Sequence, residues 1–562
     1  MSTPMTVAGL ADRYVDTVAA LDPVAATFEG VPGHETELTD YSPDGIAARI
    51  THDRATRAEL ATAHPQTDAE RIGAVALERH LDTALDLADA DEDLRPLRVI
   101  ASPVTSIVMC FDLMERATAA DWAQIAARVG AVPAALDGLV ASLREGMRRG
   151  VTAAGRQAFA CARQAETFAG STPGTIPYFA GLVEEMAGAG VDEPALRSDL
   201  EQAAARATDA YVALGRFLVD EYLPGTDAPD GVGPERYRRW ARAFTGTVLD
   251  LEETYEWGWE ELYRIEAAMA AVGERIVPGE PVGAVIEHLE LDSSRTVEGE
   301  DALLGWLQDL IDRTTDALDG VHFDIPPEIR RCEAMIAPPG GAAAMYYTGP
   351  SEDLSRPGRT WYPTLGRTTF PLWGEVSICY HEAVPGHHLQ VATVRTQRDR
   401  LNRFQRTIGW NSGHGEGWAL YAERLMGELG FLEDPAYELG MLRAQAMRAV
   451  RVVVDIGLHL SLPIPHSEPE HGGETWTPEL ALPFVIGRSH FPEDFMASEV
   501  DRYLGLPGQA ISYKVGERVW LRARDAARAR VGDSFDLKSF HRRALELGSM
   551  GLDQLEDELA RI

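Results

Sequence analysis

The sequence predicts a mainly α-helical protein, and three observations carry that expectation. Through residues 1 to about 250, Ala-rich amphipathic stretches such as Val151 to Gly170 and Glu201 to Leu223 alternate with short Pro/Gly breaks. Next, Tyr255, Trp259, Leu262, Ile265, Met269, Val272 and Ile276 step by three or four, the spacing of one apolar helix face. Finally, β-leaning runs are confined to one place. Between Asp324 and Arg367 the turn formers Ile325-Pro-Pro, Pro338-Pro-Gly-Gly341 and Pro350 bound Ala344-Met-Tyr-Tyr-Thr348 and Arg359-Thr-Trp-Tyr362, which read as a small sheet over about 324–367. Residues 375–457 and 507–562 read as helical again. The expected organisation is an N-terminal helical region, 1–250, and a C-terminal region, 251–562, that carries the sheet and the chemistry, together one continuous fold.

Composition narrows the function classes. With 45% hydrophobic and 25% charged residues and no low-complexity tract, the 562-residue chain reads as globular. A net charge of −36 excludes a nucleic-acid or anionic-membrane partner, because neutralising phosphates needs a basic surface. Cys110, Cys161, Cys332 and Cys379 are too dispersed for a zinc cluster or a disulfide framework and read as small buried hydrophobes. The opening Met1-Ser-Thr-Pro-Met-Thr has no charged n-region, and no apolar run reaches about 18 residues, so the expected location is cytoplasmic. Lysine occurs only at Lys514 and Lys538; Lys514 stands out beside Tyr513, although chance survival in an Arg-rich chain is the simpler account.

The chemistry centres on His381-Glu382-Ala-Val-Pro385-Gly386-His387-His388. In H-E-x-x-H on a helix, two imidazoles one turn apart bind zinc and the glutamate serves as general base. Here Pro385 occupies the position of the second histidine, and the next histidines fall six and seven places after His381. In a regular helix an offset of six lies about 120° off-face, while seven returns nearly to the same face. The helix cannot be regular, because Pro385 offers no N–H to the carbonyl of His381 and Gly386 loosens the backbone further. A break at Pro385-Gly386 could swing His387 back, so geometry leaves His387 and His388 both open.

A second segment supplies a carboxylate. In Gly413-His414-Gly415-Glu416-Gly417-Trp418-Ala419-Leu420-Tyr421-Ala422-Glu423-Arg424-Leu425, Trp418, Tyr421 and Leu425 follow helical spacing, with Glu416 near the helix start. A helical glutamate some 30 residues after the histidines is the arrangement that completes a His/His/Glu zinc site. The competing reading is a first-turn carboxylate favoured by the helix dipole.

H-E-A-V-P-G-H-H-L-Q followed by E-G-W-A-L-Y-A-E-R-L resembles the bacterial domain-of-unknown-function 885 family. Arg448-Ala-Val-Arg451-Val-Val-Val-Asp455-Ile-Gly-Leu-His459 and the run from Glu499 through Arg502, Pro507-Gly508-Gln509 and Tyr513-Lys514 to Gly516 fit as well, as do Ala19 to Gly30 and Asp40-Tyr-Ser-Pro43. The resemblance therefore spans nearly the whole chain. Two departures stand out: Ile456 replaces a threonine, and the segment after His459 replaces a helical continuation, which puts one wall of a substrate site in question. The family is similar to the helical zinc peptidases, carboxypeptidase Taq in particular. That resemblance implies a large helical body with a deep central cleft, one zinc ion (or another divalent metal) on His381, His387 and Glu416, and Glu382 as base.

Within that frame Tyr513 is the expected catalytic donor to the oxyanion, ahead of His414 and His459. Arg451 and Arg502 are expected to bind the substrate, a terminal carboxylate calling for an arginine fork, and His388 and His459 are counted with them as substrate-binding. The leading function is hydrolysis of short peptides, of carboxypeptidase or oligopeptidase type. Its competitors are a zinc amidohydrolase acting on a non-peptide amide and a metal-free binding protein, against which the presence of Glu382 counts. The expected partners are a short peptide or amide and, at most, a second copy of the chain as a homodimer.

Overall fold

The computed structural model describes residues 6–337 and 344–562. The Pro338-Pro-Gly-Gly341 turn and the reading of Met1 to Met5 lie outside them. Helices dominate, and the described strands form two small sheets, so the protein is mainly α. Packing divides the chain into two compact units. One comprises residues up to His64 with His80–Asp230, the other Pro65–Arg79 with Gly231–Ile562.

In the first unit, helix starts follow local chemistry. The Asp22 and Ser42 side chains cap the helices Pro23–Phe28 and Pro43–Leu60, each of which opens on a proline whose missing N–H costs nothing there. Helix α1 (Ala119–Arg149) begins in a Thr118/Asp121 capping box and ends at Gly150 with φ of 69°. It packs on α2 (Pro194–Phe217), and Ile125, Val129, Val132, Leu136, Leu139 and Leu143 enter a core with Phe111, Phe179 and Tyr211. Arg128 is fully buried on α1. Its guanidinium donates to the carbonyls of Pro23, His34 and Glu37 and to Thr27 Oγ1, so the charge is matched by oxygen acceptors rather than left bare.

In the second unit, helix α3 (Leu251–Ile276) buries Tyr255, Trp259, Leu262, Ile265, Met269 and Val272, the face that the spacing predicts, with Ile276 half-buried at its end. The small sheet contains β1 (Cys332–Ile336), β2 (Tyr346–Thr348) and β3 (Gly358–Tyr362) in the order β1-β3-β2. β1 runs parallel to β3 and β2 antiparallel to it. A two-stranded ribbon, Thr296–Glu298 with Thr369–Pro371, stands apart.

The sheet leads into helix α4 (Glu375–Glu382), and α5 (His387–Thr396) follows after the Pro385-Gly386 break. Beyond them come α6 (Ser412–Glu428), α7 (Pro435–Leu460), α8 (Glu493–Gly505) and α9 (Ser512–Val531). Helix α7 is buried along nearly its whole length and packs on α3 and α4. Helices α6 and α9 meet backbone to backbone. A Cβ on Gly417 would lie 2.4 Å from the Gly516 carbonyl carbon, and one on Gly516 would lie 2.0 Å from Gly413 O. These glycines set how closely α9, which carries Tyr513, approaches α6.

Candidate metal centre

His381 is on the last turn of α4, one turn after Ser377, and both side chains face α6. The chain then breaks where Pro385 and Gly386 require it. Gly386 N–H donates to Tyr380 O, and His388 N–H to Ala383 O, at 3.0 Å each. A Cβ on Gly386 would fall 1.9 Å from His381 O, so only glycine fits this fold-back. The Trp418 indole N–H of α6 donates to the carbonyls of Pro385 (2.9 Å) and Gly386 (3.2 Å), acceptors that the interrupted helix leaves open. Its result is that the rings of His381 and His387 stand edge to face with centroids 4.8 Å apart.

Glu416 completes the group. Helix α6 starts at Ser412 with Asn411 as its cap and carries no acidic residue in its first turn, so Glu416 is not a dipole-facing end residue. Its Oε2 lies 3.4 Å from His381 Nε2 and 3.3 Å from His387 Nε2, with no hydrogen-bond partner. The three candidate ligand atoms lie within 4.8 Å of one another. Bonds of ~2.0–2.1 Å around a tetrahedral cation put ligand atoms roughly 3.3–3.4 Å apart, which matches both Glu416 separations. Two imidazoles and a carboxylate are also a donor set suited to zinc. The residue types and both Glu416 separations suit a divalent ion, while the full spread of up to 4.8 Å is wider than a closed tetrahedral shell, so binding would draw the side chains together.

The buried carboxylates and imidazoles also hold one another's charge. Burial works against an imidazolium at His381, but Glu416 and Glu423 outweigh it and raise its pKa to about 9. Burial also opposes a charged Glu416, yet the two histidines hold its carboxyl well below the usual range. Glu382 is buried, and burial raises its carboxyl above the ordinary value against the pull of His381 and His387.

The family model described as "Bacterial protein of unknown function (DUF885)" matches residues 23–559. The chain belongs to this family. A search of curated proteins found no match. Among solved structures, "the putative lipoprotein from Colwellia psychrerythraea" is similar with a TM-score of 0.85 at 22% identity, covering 99% of each chain. "A putative lipoprotein of unknown function from Shewanella oneidensis" is similar with a TM-score of 0.71 at 18% identity, covering 99% of this chain and 100% of that one. At such identities the likeness is one of fold.

In this DUF885 chain the other expected site residues divide into two sets. Tyr513 is brought to the candidate ligand group, its ring stacked at 6.2 Å on His381. Its hydroxyl accepts a bond from Arg502 Nη2 at 3.2 Å, and the Arg451 guanidinium lies 4.5 Å from its ring centroid. His388 is not brought to the ligand group. It is held between Ile329 O (2.7 Å) and Tyr347 Oη (3.0 Å), and burial lowers its pKa to about 4, so both nitrogens are committed to the fold. His459 is likewise committed, to Tyr503 O and the Val232 N–H, and His414 Nδ1 accepts from Met550 N–H.

Arg451 and Arg502 lie near Tyr513, but not as free forks. Arg451 gives Nε and Nη2 to Glu499 Oε2, while Arg502 gives Nη1 to Glu499 Oε1 and Nη2 to Gln509 and Tyr513. Lys514 is fully buried and bonded to Glu261, Gln445 and Glu517, a structural ion cluster.

Sequence reasoning missed Glu423, whose Oε1 lies 2.8 Å from His381 Nδ1 and whose Oε2 accepts from Ser377 Oγ. Burial would raise the Glu423 carboxyl, but Arg448, 3.5 Å away, together with His381 and Ser377 holds it below its ordinary value. The signal was available: Glu423 falls seven residues after Glu416, two helical turns on and on the same face.

Proposed function

We propose that this protein is a divalent-metal hydrolase, with zinc the favoured ion, that cleaves the amide bonds of short peptides. The observation that carries this reading is Glu416 Oε2, bare of hydrogen bonds yet 3.3–3.4 Å from two imidazole nitrogens. A cation held by His381, His387 and Glu416 supplies Lewis acidity to the scissile carbonyl and to the attacking water.

The chain's own residues do the rest. Glu382, buried next to His381, takes the water proton and returns it to the leaving amine. Tyr513 accepts from Arg502, which leaves its own O–H free to donate to the developing oxyanion. Arg451 and Arg502 hold Tyr513 rather than the substrate. Arg451 gives Nε and Nη2 to Glu499 and only Nη1 is unpaired, and Arg502 divides its donors among Glu499, Gln509 and Tyr513. Neither offers a two-nitrogen fork, so recognition along the peptide is favoured over capture of its terminal carboxylate. Strand β2 is an edge of its sheet, and the ring of its Tyr347 lies 6.3 Å from that of His387, a position from which an extended substrate could pair with it.

The test is metal analysis of the purified protein joined to a panel of dipeptides and tripeptides. We expect about one tightly held divalent ion per chain and cleavage that a chelator stops and zinc restores. Metal binding without peptide cleavage would move the reading to a non-peptide amide. Absence of metal affinity would overturn it.

A further inference from the structure

Beside the buried ligand group stands one large apolar side chain that is not buried. Trp410 is 42% exposed, while His381 and His387 are 2% and 7% exposed. Its ring meets that of His387 edge to face at a centroid distance of 5.8 Å, and Tyr347 stacks near the same imidazole at 6.3 Å. The placement is fixed by backbone on both sides. Gly409 N–H donates to Phe404 O at 2.8 Å, and Asn411 N–H donates to Ser549 Oγ at 3.0 Å. Asn411 in turn caps α6 through the His414 N–H. One edge of the indole lies so close to α6 that a Cβ on Gly415, the residue before Glu416, would sit 1.9 Å from its Cη2. A glycine immediately before a ligand therefore gives space to a tryptophan that still keeps much of its surface in solvent. The ring is thus anchored beside the ligand group and still partly open to solvent.

We infer that Trp410 is the specificity wall of the site and receives a large apolar side chain, aromatic or branched aliphatic, flanking the bond that is cut. This deepens the hydrolase reading and rests on it. An indole offers a rigid flat face of large area, and aromatic pairing adds to the area it buries. The neighbouring positive groups do not compete for this role, because Arg451 and Arg502 face Tyr513 and Glu499 on the side of His381. The substrates selected are thus hydrophobic peptides or N-acyl amino acid amides, distinguished from alanyl or glycyl analogues of equal length.

The experiment compares wild type, Trp410→Ala and Trp410→Phe, each checked for equal metal content, on matched peptides bearing phenylalanine or alanine beside the cleaved bond. The readout is the ratio of kcat/KM for the two. We expect wild type to prefer phenylalanine, the ratio to fall about tenfold or more in Trp410→Ala, and Trp410→Phe to restore most of it. A ratio unaltered in Trp410→Ala, or equal losses on both peptides, would overturn the assignment. If wild type cleaves no peptide, the peptidase reading fails on its own and binding decides this one. N-acetyl-phenylalanine amide should then bind wild type more tightly than N-acetyl-alanine amide, with the difference lost in Trp410→Ala. Equal binding of the two by wild type would overturn it.

Discussion

The Nδ1 of His381 lies 2.8 Å from Oε1 of Glu423, a contact that fixes which imidazole nitrogen faces Glu416. With a carboxylate accepting at Nδ1, that nitrogen carries a proton, and Nε2 is the nitrogen turned toward His387 and Glu416, the one a cation would take in exchange for its proton. The same helix face thus supplies both the candidate ligand Glu416 and the residue that orients its neighbour. Ser377 and Arg448 hold Glu423 ionised and in place.

Glu423→Gln tests that relationship. Glutamine keeps the volume but weakens the charge-assisted bond to His381 Nδ1, so metal affinity should fall about 10–100-fold while the helical content stays as in wild type. Competition with a chromophoric chelator measures it. Unchanged affinity would reduce Glu423 to a packing residue.

Glu382→Gln separates base from ligand. The substitution leaves His381, His387 and Glu416 in place, so the metal content should match wild type. Turnover should fall by about 10²–10⁴-fold, the range lost with a general base. Near-wild-type turnover would remove Glu382 from the mechanism.

The two adjacent histidines should part company. His387→Ala takes away a member of the converging group and should lose the metal, whereas His388→Ala should retain it but unfold more easily. His388 bonds Ile329 O and Tyr347, and Gly358 is kept small by them, since a Cβ there would meet Tyr347 Oη at 2.3 Å. Metal analysis and thermal unfolding of both variants give the answer. Metal loss from His388→Ala at full stability would reassign the ligand.

How far the sequence foretold this site depended on the range of each contact. Helical periodicity marked the buried face of α3, and turn formers marked β2 and β3, because both are local patterns. Pro385 and Gly386 announced a break, since each acts on its own backbone. The direction of the fold-back was not legible, because it depends on Trp418, more than 30 residues away, closing the open carbonyls. The partners of Arg451 and Arg502 were not legible for a similar reason. A buried guanidinium looks the same in sequence whether its partner is a substrate or Glu499. Trp410 read as nothing in particular, as its exposure is a property of the assembled surface.

His459 and Asp455 give opposite contributions to stability with pH. His459 is buried and its pKa lowered to about 4, so its neutral form is the folded one. Its contribution is complete above its ordinary value of 6.5 and is lost as pH falls through about 4. Asp455, bonded to Tyr237 and the Gly508 N–H, is raised by burial to about 7. Its contribution is complete below its ordinary value of 3.8 and is lost as pH rises through about 7. Between these limits the two slopes, each up to about 1.4 kcal/mol per pH unit, oppose one another. His459→Gln should therefore move the pH of maximal stability downward, because the slope from Asp455 is left unopposed. Asp455→Asn should move it upward and steepen the loss in acid. Denaturant unfolding between about pH 4.5 and 7.5 reads both shifts. Displacement of both variants in the same direction would show that burial does not set these two groups as argued.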